Sequence, residues 1–287
     1  MAKSPTNFRG FPARIAAVLF VPACVALVIG ARSRVSATDP HPAHIEKKSN
    51  PRPAITSAPD IAMPFHVGEK LDYRVAWTSF DDAAAVHLSV PERRNLFGWQ
   101  TWHFRATIHT LRSVHTLFPV DDQFDSYTDV SSLESRRFEM YRDELGKNAT
   151  KVHDLVHPGQ RPRAPGPAVI VSSGTRDPLG MLFTLRAVDW QRTPEVRVPV
   201  YDGHDLYEMR AQIEAVSDSV QVDAGSFIAS RIAIRLFKNG AEDASVHFTI
   251  WLATDPARTP VQFAAELPFG DLRVELTDSK SGDARTH

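Results

Sequence analysis

Apolar and polar residues alternate with a period of two along most of the chain from Phe65 onward, and this pattern limits the fold more than any other feature. The segment VGEKLDYRVAW puts a mostly apolar set on one face: Val67, Glu69, Leu71, Tyr73, Val75 and Trp77. In WQTWHFRATIHTL, an apolar face alternates with a polar one: Trp102, Phe104, Ala106 and Ile108 against His103, Arg105, Thr107 and His109. Because successive side chains of a strand point to opposite faces, the pattern predicts strands with one buried side.

Turn-forming residues separate these runs at short intervals. Asn239-Gly240 tolerates the positive φ angles of a type I′ turn and predicts a hairpin. Similar reversals are expected at 146–148, 202–204 and 268–270. Strands joined by short turns form antiparallel meanders. The sequence therefore predicts a mostly β protein, built on a large curved antiparallel sheet or an incomplete β-barrel.

One segment, RDPLGMLFTLRAVDW at 176–190, departs from the period of two. Asp177 is suited to an N-cap and Pro178 to the first helical turn. Residues at helical spacing follow: Leu179, Leu182, Phe183 and Arg186. We expect one short amphipathic α-helix here, packed on the concave face of the sheet.

The first 37 residues resemble an export signal. Five basic and no acidic side chains surround a sixteen-residue uncharged run at 15–30, and small residues follow up to Ala37. As a helix this run would rise about 24 Å, short of the roughly 30 Å bilayer core, and Pro22 would kink it. We favour a cleaved signal peptide over an N-terminal membrane anchor, while lipidation at Cys24 stays open. Each alternative predicts a periplasmic or cell-envelope protein. Membrane contact is expected only through residues 15–30, and only if that segment is not cleaved.

The rest of the chain divides into three parts. Residues 38–64 contain six prolines and no apolar periodicity, which predicts a disordered linker. Residues 65–279 form a single β-rich domain, and residues 280–287 a disordered tail. Without the leader, the chain has 28 basic against 34 acidic side chains, a formal charge of −6. That charge, with no basic cluster interleaved with aromatics, argues against nucleic-acid binding.

Four stretches, at 65–77, 116–129, 176–190 and 251–278, resemble those of the domain of unknown function 3108 family of exported bacterial proteins. The resemblance implies a compartment and a β-rich fold, but no reaction. The closing pattern, which includes Trp251, Asp255 and Gly270, is also similar to that of periplasmic lipoprotein carriers. Those are open β-barrels that hold acyl chains against a helical lid, so this likeness implies an apolar concavity.

Candidate catalytic and metal-binding residues have simpler explanations. Asp121, Asp125 and Asp129 share a strand face, but each lies roughly 13 Å from the next along the strand, so a solvated acidic face is favoured over a cation site. The histidines, including His103 and His109, lack metal-binding spacing. The loop at 172–177 resembles an anion-binding helix entrance only weakly, and Asp255 is expected to pair with Arg258 across a tight turn. We predict no metal and no cofactor.

The aromatic residues suggest a binding function. They fill a core or line a ligand cavity, and the residues expected to contact an apolar ligand are Trp77, Trp102, Leu182, Phe183, Trp190 and Trp251. The favoured function is non-catalytic binding of an apolar or lipid-like ligand between sheet and helix. The alternatives are a scaffold for another envelope protein and, less favoured, a metal-dependent or hydrolytic enzyme.

Overall fold

The computed structural model describes residues 62–244, 246–267 and 270–280, so the leader and most of the predicted linker lie outside the described residues. Fourteen strands form one sheet: β1 (Lys70–Trp77), β2 (Phe80–Leu96), β3 (Trp99–Thr110), β4 (Asp121–Asp129), β5 (Ser135–Glu144), β6 (Lys147–Val156), β7 (Ala168–Ile170), β8 (Glu195–Tyr201), β9 (Leu206–Val222), β10 (Gly225–Lys238), β11 (Ala241–Glu242), β12 (His247–Ala253), β13 (Pro260–Leu267) and β14 (Gly270–Lys280). The alternation thus predicts the fold class correctly.

The strands follow the order β7-β6-β5-β4-β3-β2-β1-β14-β13-β12-β10-β9-β8, with β11 beside β10. Every pair is antiparallel except β6 and β7. The sheet does not close into a barrel. Where its two ends approach, a connecting segment lies between β5 and β8: Ser135 N donates to Thr175 O (3.1 Å), and Arg176 N donates to Pro199 O (2.9 Å).

The helix α2 (Pro178–Ala187) lies against the concave face of this sheet. Asp177 caps it and Pro178 occupies its first turn, as the sequence predicts. However, eight of its ten residues are buried, including both sides of the helix. A helix that is buried on all sides belongs in a core, so α2 packs on the concave face as expected but lacks the solvent-exposed polar side of an amphipathic helix. One continuous apolar cluster joins α2 to the inner faces of the strands.

A second helix, α1 (Arg112–Leu117), was not expected from the sequence. It connects β3 to β4. Val114 is buried beneath this turn, and Leu111 N donates to Ala83 O (2.9 Å). A helix of six residues is too short to show a period of 3.6, which explains why the sequence did not indicate it. Neither helix in the described part of the chain has the length and hydrophobicity needed to span a bilayer.

The predicted hairpin at Asn239-Gly240 is present, and both residues have positive φ angles, 52° and 81°. The reversal expected at 146–148 is centred one residue earlier, on Leu145 and Gly146. The chain also reverses between β8 and β9 at 202–205 and between β13 and β14. Residues 268 and 269 of that last reversal lie outside the described residues.

Candidate functional site

Four of the six predicted ligand-binding residues are buried in the interior between the sheet and α2. They are Trp102, Leu182, Phe183 and Trp190. The Phe183 ring stacks on Phe104 of β3 with centroids 3.7 Å apart. Trp190 Nε1 donates to the Leu185 carbonyl (2.9 Å), which ties the residues after the helix to its last turn.

The other two predicted residues lie elsewhere. Trp77 is half-buried where β1 ends, and it stacks on Phe80 of β2. Trp251 is half-buried on β12 with its Nε1 directed to Asp218 of β9 at 3.2 Å, and its sequence neighbours Ile250 and Leu252 are in the core. It therefore points to the outer face. Both tryptophans are partly buried and pack against the core cluster that contains the other four residues.

Phe65 occupies the centre of the interior aromatic group. It precedes β1, and its ring meets Trp102, Phe104 and Phe183 edge-on at centroid distances of 5.1, 5.3 and 5.0 Å. The Arg186 guanidinium lies 5.5 Å from the same ring. The first described segment of the chain thus inserts an aromatic side chain into a pocket formed by β3 and α2.

A buried ion pair joins this segment to the helix. Arg186 Nη2 contacts Glu69 Oε1 at 2.7 Å, and both residues are buried. The same nitrogen donates to the carbonyls of Pro64 (3.3 Å) and Ala257 (3.0 Å). Desolvating two charges is costly unless they are paired and hydrogen-bonded. Arg186 therefore fastens residues 64–69, α2 and the turn before β13 to one another.

The pair leaves polar atoms without partners. Within the described part of the chain, Arg186 Nε and Nη1, Glu69 Oε2 and Trp102 Nε1 are buried with no hydrogen bond. Native interiors satisfy about nine in ten such atoms, so several in one neighbourhood require an explanation. None of Arg186, Glu69 and Phe65 was predicted from the sequence to be a site residue. The sequence did contain a signal for two of them, because Glu69 and Arg186 each lie among apolar residues on one face of a predicted strand or helix.

Arg258 also closes the helix, in a role that differs from the one predicted. Its backbone N–H donates to Asp255 O (3.1 Å), so the expected tight turn is present. Its guanidinium Nη1, however, donates to the carbonyls of Arg186 and Ala187, each at 3.1 Å, rather than to Asp255. A cation at a helix C-terminus satisfies its last carbonyls and favours its dipole. The predicted Asp255–Arg258 ion pair is therefore wrong.

Strand β4 was expected to have a solvated acidic face, but two of the strand's aspartates, Asp122 and Asp125, are buried. Asp125 is buried although it lies on the outer face, and it accepts hydrogen bonds from His103 Nε2 (2.5 Å), Arg105 Nε (2.7 Å) and Gln123 Nε2 (2.6 Å). Burial alone would raise the pKa of Asp125, but these donors together hold it below its ordinary value. Cross-strand pairing explains this arrangement without a ligand.

The pKa of Asp122, near the start of β4, is shifted in the opposite direction. Burial, followed by the nearby Glu144 charge, raises the pKa of Asp122 to about 7. A carboxyl whose pKa is raised by folding stabilises the protein while it is protonated, and this contribution is lost as pH rises through the folded-state pKa.

We expect Asp122→Asn to reduce the loss of stability that wild type undergoes between pH 5 and pH 8. The difference in free energy of unfolding between the two proteins should change by about 1–2 kcal/mol over that window, because the amide cannot ionise. Urea unfolding at each pH measures it. Parallel stability curves for the two proteins would show that Asp122 does not titrate in this range.

The described residues offer little to a catalytic or metal site. No group of three His, Cys, Asp or Glu side chains in the ranges 62–244, 246–267 and 270–280 converges as metal ligation requires. In the loop before α2, Gly174 N donates to Glu134 (2.8 Å), and the oxygens of Asp177 accept from Ser126, Ser135 and Gly180. These groups are used in holding the helix entrance.

Three solved structures are similar in outline. A β-barrel-like protein of the DUF1849 family from Brucella abortus is 8% identical with a TM-score of 0.45, covering 76% of this chain and 98% of that one. A protein from Bacteroides fragilis, described as exported and with a YmcC-like fold, is 10% identical at 0.33, with the same two coverages. A protein from Parabacteroides distasonis described as a lipoprotein is 11% identical at 0.35, covering 76% and 97%. These likenesses are too distant to assign a ligand or an activity.

Among curated proteins, none matches the sequence. A family model described as protein of unknown function (DUF3108) matches residues 72–277. That span includes twelve strands, β2 to β13, and both helices in full. The match confirms the resemblance seen in the sequence, and the chain belongs to the DUF3108 family.

Proposed function

We propose that this protein is an exported, non-catalytic component of the cell envelope that binds an amphipathic, lipid-like ligand in the pocket that Phe65 fills. The export part of the proposal rests on the leader-like sequence of residues 1–37. The binding part rests on one observation: unpartnered buried polar atoms adjoin an aromatic pocket whose occupant comes from the start of the domain.

The pocket has the two chemical halves that such a ligand needs. Trp102, Phe104 and Phe183 supply apolar surface, and Leu182 lies beside Phe183 on α2. Arg186 Nε and Nη1 supply donors for an anionic head group. The guanidinium carbon of Arg186 lies 5.2 Å from the centroid of the Phe183 ring. Ligand sites are mostly apolar with a few placed polar groups, which agrees with this composition.

Access requires that residues 62–69 move. Phe65 is held by aromatic edges and by the Arg186 contacts to Pro64 and Glu69, whereas β1 begins only at Lys70. Lifting this short segment would release the aromatic pocket and free the guanidinium. It would break the two backbone hydrogen bonds that Gly68 and Glu69 make with Val90 of β2, but it would leave the β1–β2 pairing from Lys70 onward in place. The ligand would then take the place of the Phe65 ring.

Binding can be measured with cis-parinaric acid, whose fluorescence rises in an apolar site. We expect wild type to bind one equivalent, and Phe65→Ala to bind at least tenfold more tightly because the competing ring is gone. Arg186→Met combined with Glu69→Leu should weaken binding at least tenfold. The double variant removes the head-group donors, yet it leaves no unpaired charge and fills the interior with apolar side chains.

Trp251→Phe is the matched control, because it changes a predicted aromatic residue on the outer face. Its affinity should equal that of wild type. Mass spectrometry of organic extracts from the purified exported protein supplies an independent measurement. The proposal fails if wild type neither yields a lipid nor binds the probe, or if the double variant binds it as well as wild type does.

A further inference from the structure

The outer face of the sheet carries a groove that the interior site does not involve. Most of the residues that line it are polar, although their carbon atoms form most of its exposed surface. It has a cavity volume of about 430 Å³ and crosses β2 to β6 near the turn between β5 and β6. Ligand pockets of small molecules typically occupy about 300–1,000 Å³. The groove is therefore large enough to hold one or two rings of a small polar molecule.

Strand register explains the floor of the groove. His87 pairs with Thr107, Thr107 with Gln123, Gln123 with Tyr141, and Tyr141 with Thr150. These five residues form a single row across five strands, with all side chains on one face. Neighbouring strands are about 4.8 Å apart, so the row from Thr107 to Thr150 extends over roughly 14 Å.

The side chains of this row are mostly uncharged hydrogen-bonding groups. Gln123 donates to Asp125, which leaves its amide oxygen directed elsewhere, and His87 Nδ1 contacts Asp72 at 2.6 Å. The hydroxyls of Thr107 and Thr150 have no hydrogen bond to any other described residue. The row thus presents donors and acceptors without a fixed charge.

Tyr141 adds an exposed aromatic surface. Its hydroxyl donates to Glu139 Oε2 at 2.7 Å, which fixes the ring, and the side chain remains 38% exposed. A fixed ring beside hydroxyl and amide groups matches the two faces of a pyranose, whose C–H groups stack on aromatic rings while its hydroxyls both donate and accept.

Other ligand classes fit this groove less well. The acidic side chains Asp121 and Asp143 line it, and its one guanidinium, Arg142, is paired with Glu144. Carboxylates repel phosphates and other anions, so a nucleic acid or a phosphorylated ligand is disfavoured. Acyl chains would leave the polar floor without hydrogen bonds.

We infer that the groove on β2–β6 binds a neutral oligosaccharide, with Tyr141 stacking on a sugar ring and Gln123, Thr107 and Thr150 contacting its hydroxyls. In an exported protein, such a glycan is either an N-acetylated wall polymer or a plain polysaccharide. The groove lies on the opposite face of the sheet from the Phe65 pocket, so the two proposals succeed or fail separately.

Isothermal titration with chitotetraose and with maltotetraose tests the inference and separates the two glycan sources. The exported protein is used, purified from the envelope fraction without any sugar-based detergent. We expect a dissociation constant below about 1 mM for one of them. Tyr141→Ala and Gln123→Ala should each weaken binding at least tenfold, whereas Tyr141→Phe, which keeps the ring, should change it less than threefold.

Gln262→Ala is the matched control, since Gln262 is a half-buried glutamine on β13, away from the groove. Thermal unfolding of each variant shows whether it is folded, and Tyr141→Phe remains informative if an alanine variant is not. The inference is overturned if neither sugar binds with a dissociation constant below about 1 mM. It is equally overturned if Gln262→Ala weakens binding as much as Gln123→Ala does.

Discussion

Replacing Glu69 with alanine is expected to lower the free energy of unfolding by about 3–5 kcal/mol. The Arg186 guanidinium would then be buried without a counter-charge, and its Nη2 would retain only the carbonyls of Pro64 and Ala257. Arg186→Ala should cost a similar amount, because it leaves the Glu69 carboxylate alone and creates a cavity beside Phe65 and Phe183. Urea denaturation followed by circular dichroism measures both changes.

The double variant Glu69→Leu with Arg186→Met separates charge from packing. Replacing a buried ion pair with apolar side chains of similar volume is often neutral or stabilising, so we expect stability within about 1 kcal/mol of wild type. The expected coupling between the two positions is therefore strongly favourable. Additive losses in the double variant would mean that the pair is not a unit and that each side chain acts through other contacts.

The alternation of residues was sufficient to predict the fold class because one face of nearly every strand packs on a single core. Residues such as Tyr73, Val75, Phe104 and Ile108 are buried as their period requires. The order of the sheet also follows from the sequence, since most neighbouring strands are joined by short turns. The single turn of α1 gave no such signal.

The interior site was only partly predictable. Helical spacing on 176–190 placed Arg186 with Leu182 and Phe183, and the period of two placed Glu69 with Leu71 and Tyr73. Each charge was therefore visible on an apolar face. Their pairing was not, because the two residues are 117 positions apart and belong to elements whose packing is set by the curvature of the whole sheet.

The outer face shows a second limit. Periodicity correctly puts Asp125 opposite to Phe124, but it cannot show that a polar face is covered. Asp125 is buried because His103 and Arg105 reach across from β3 and Gln123 reaches along β4 itself, and the register of β3 and β4 decides that they meet. Register between strands depends on turns and bulges that one strand's pattern does not contain.

The second large effect is expected at the N-cap of α2. Asp177→Ala should lower the free energy of unfolding by about 2–4 kcal/mol, because it removes the cap and leaves the buried hydroxyls of Ser126 and Ser135 without their acceptor. Gly180, whose N–H donates to Asp177, sits so close to β4 and β5 that an added Cβ would lie 2.8 Å from Ser135 Oγ. The helix entrance therefore cannot relax toward another partner.

Asp177→Asn is the informative comparison, because it keeps an acceptor for Gly180 and the size of the side chain. Burial raises the pKa of Asp177 in spite of its hydrogen bonds. Stability present while the carboxyl is protonated is therefore lost as pH rises through the folded-state pKa, whereas the amide does not titrate. Asp177→Asn should gain stability relative to wild type as pH rises from 4 to 8, measured by urea unfolding. A gain on acidification instead would mean that the three donors outweigh burial and that the cap is held as a carboxylate.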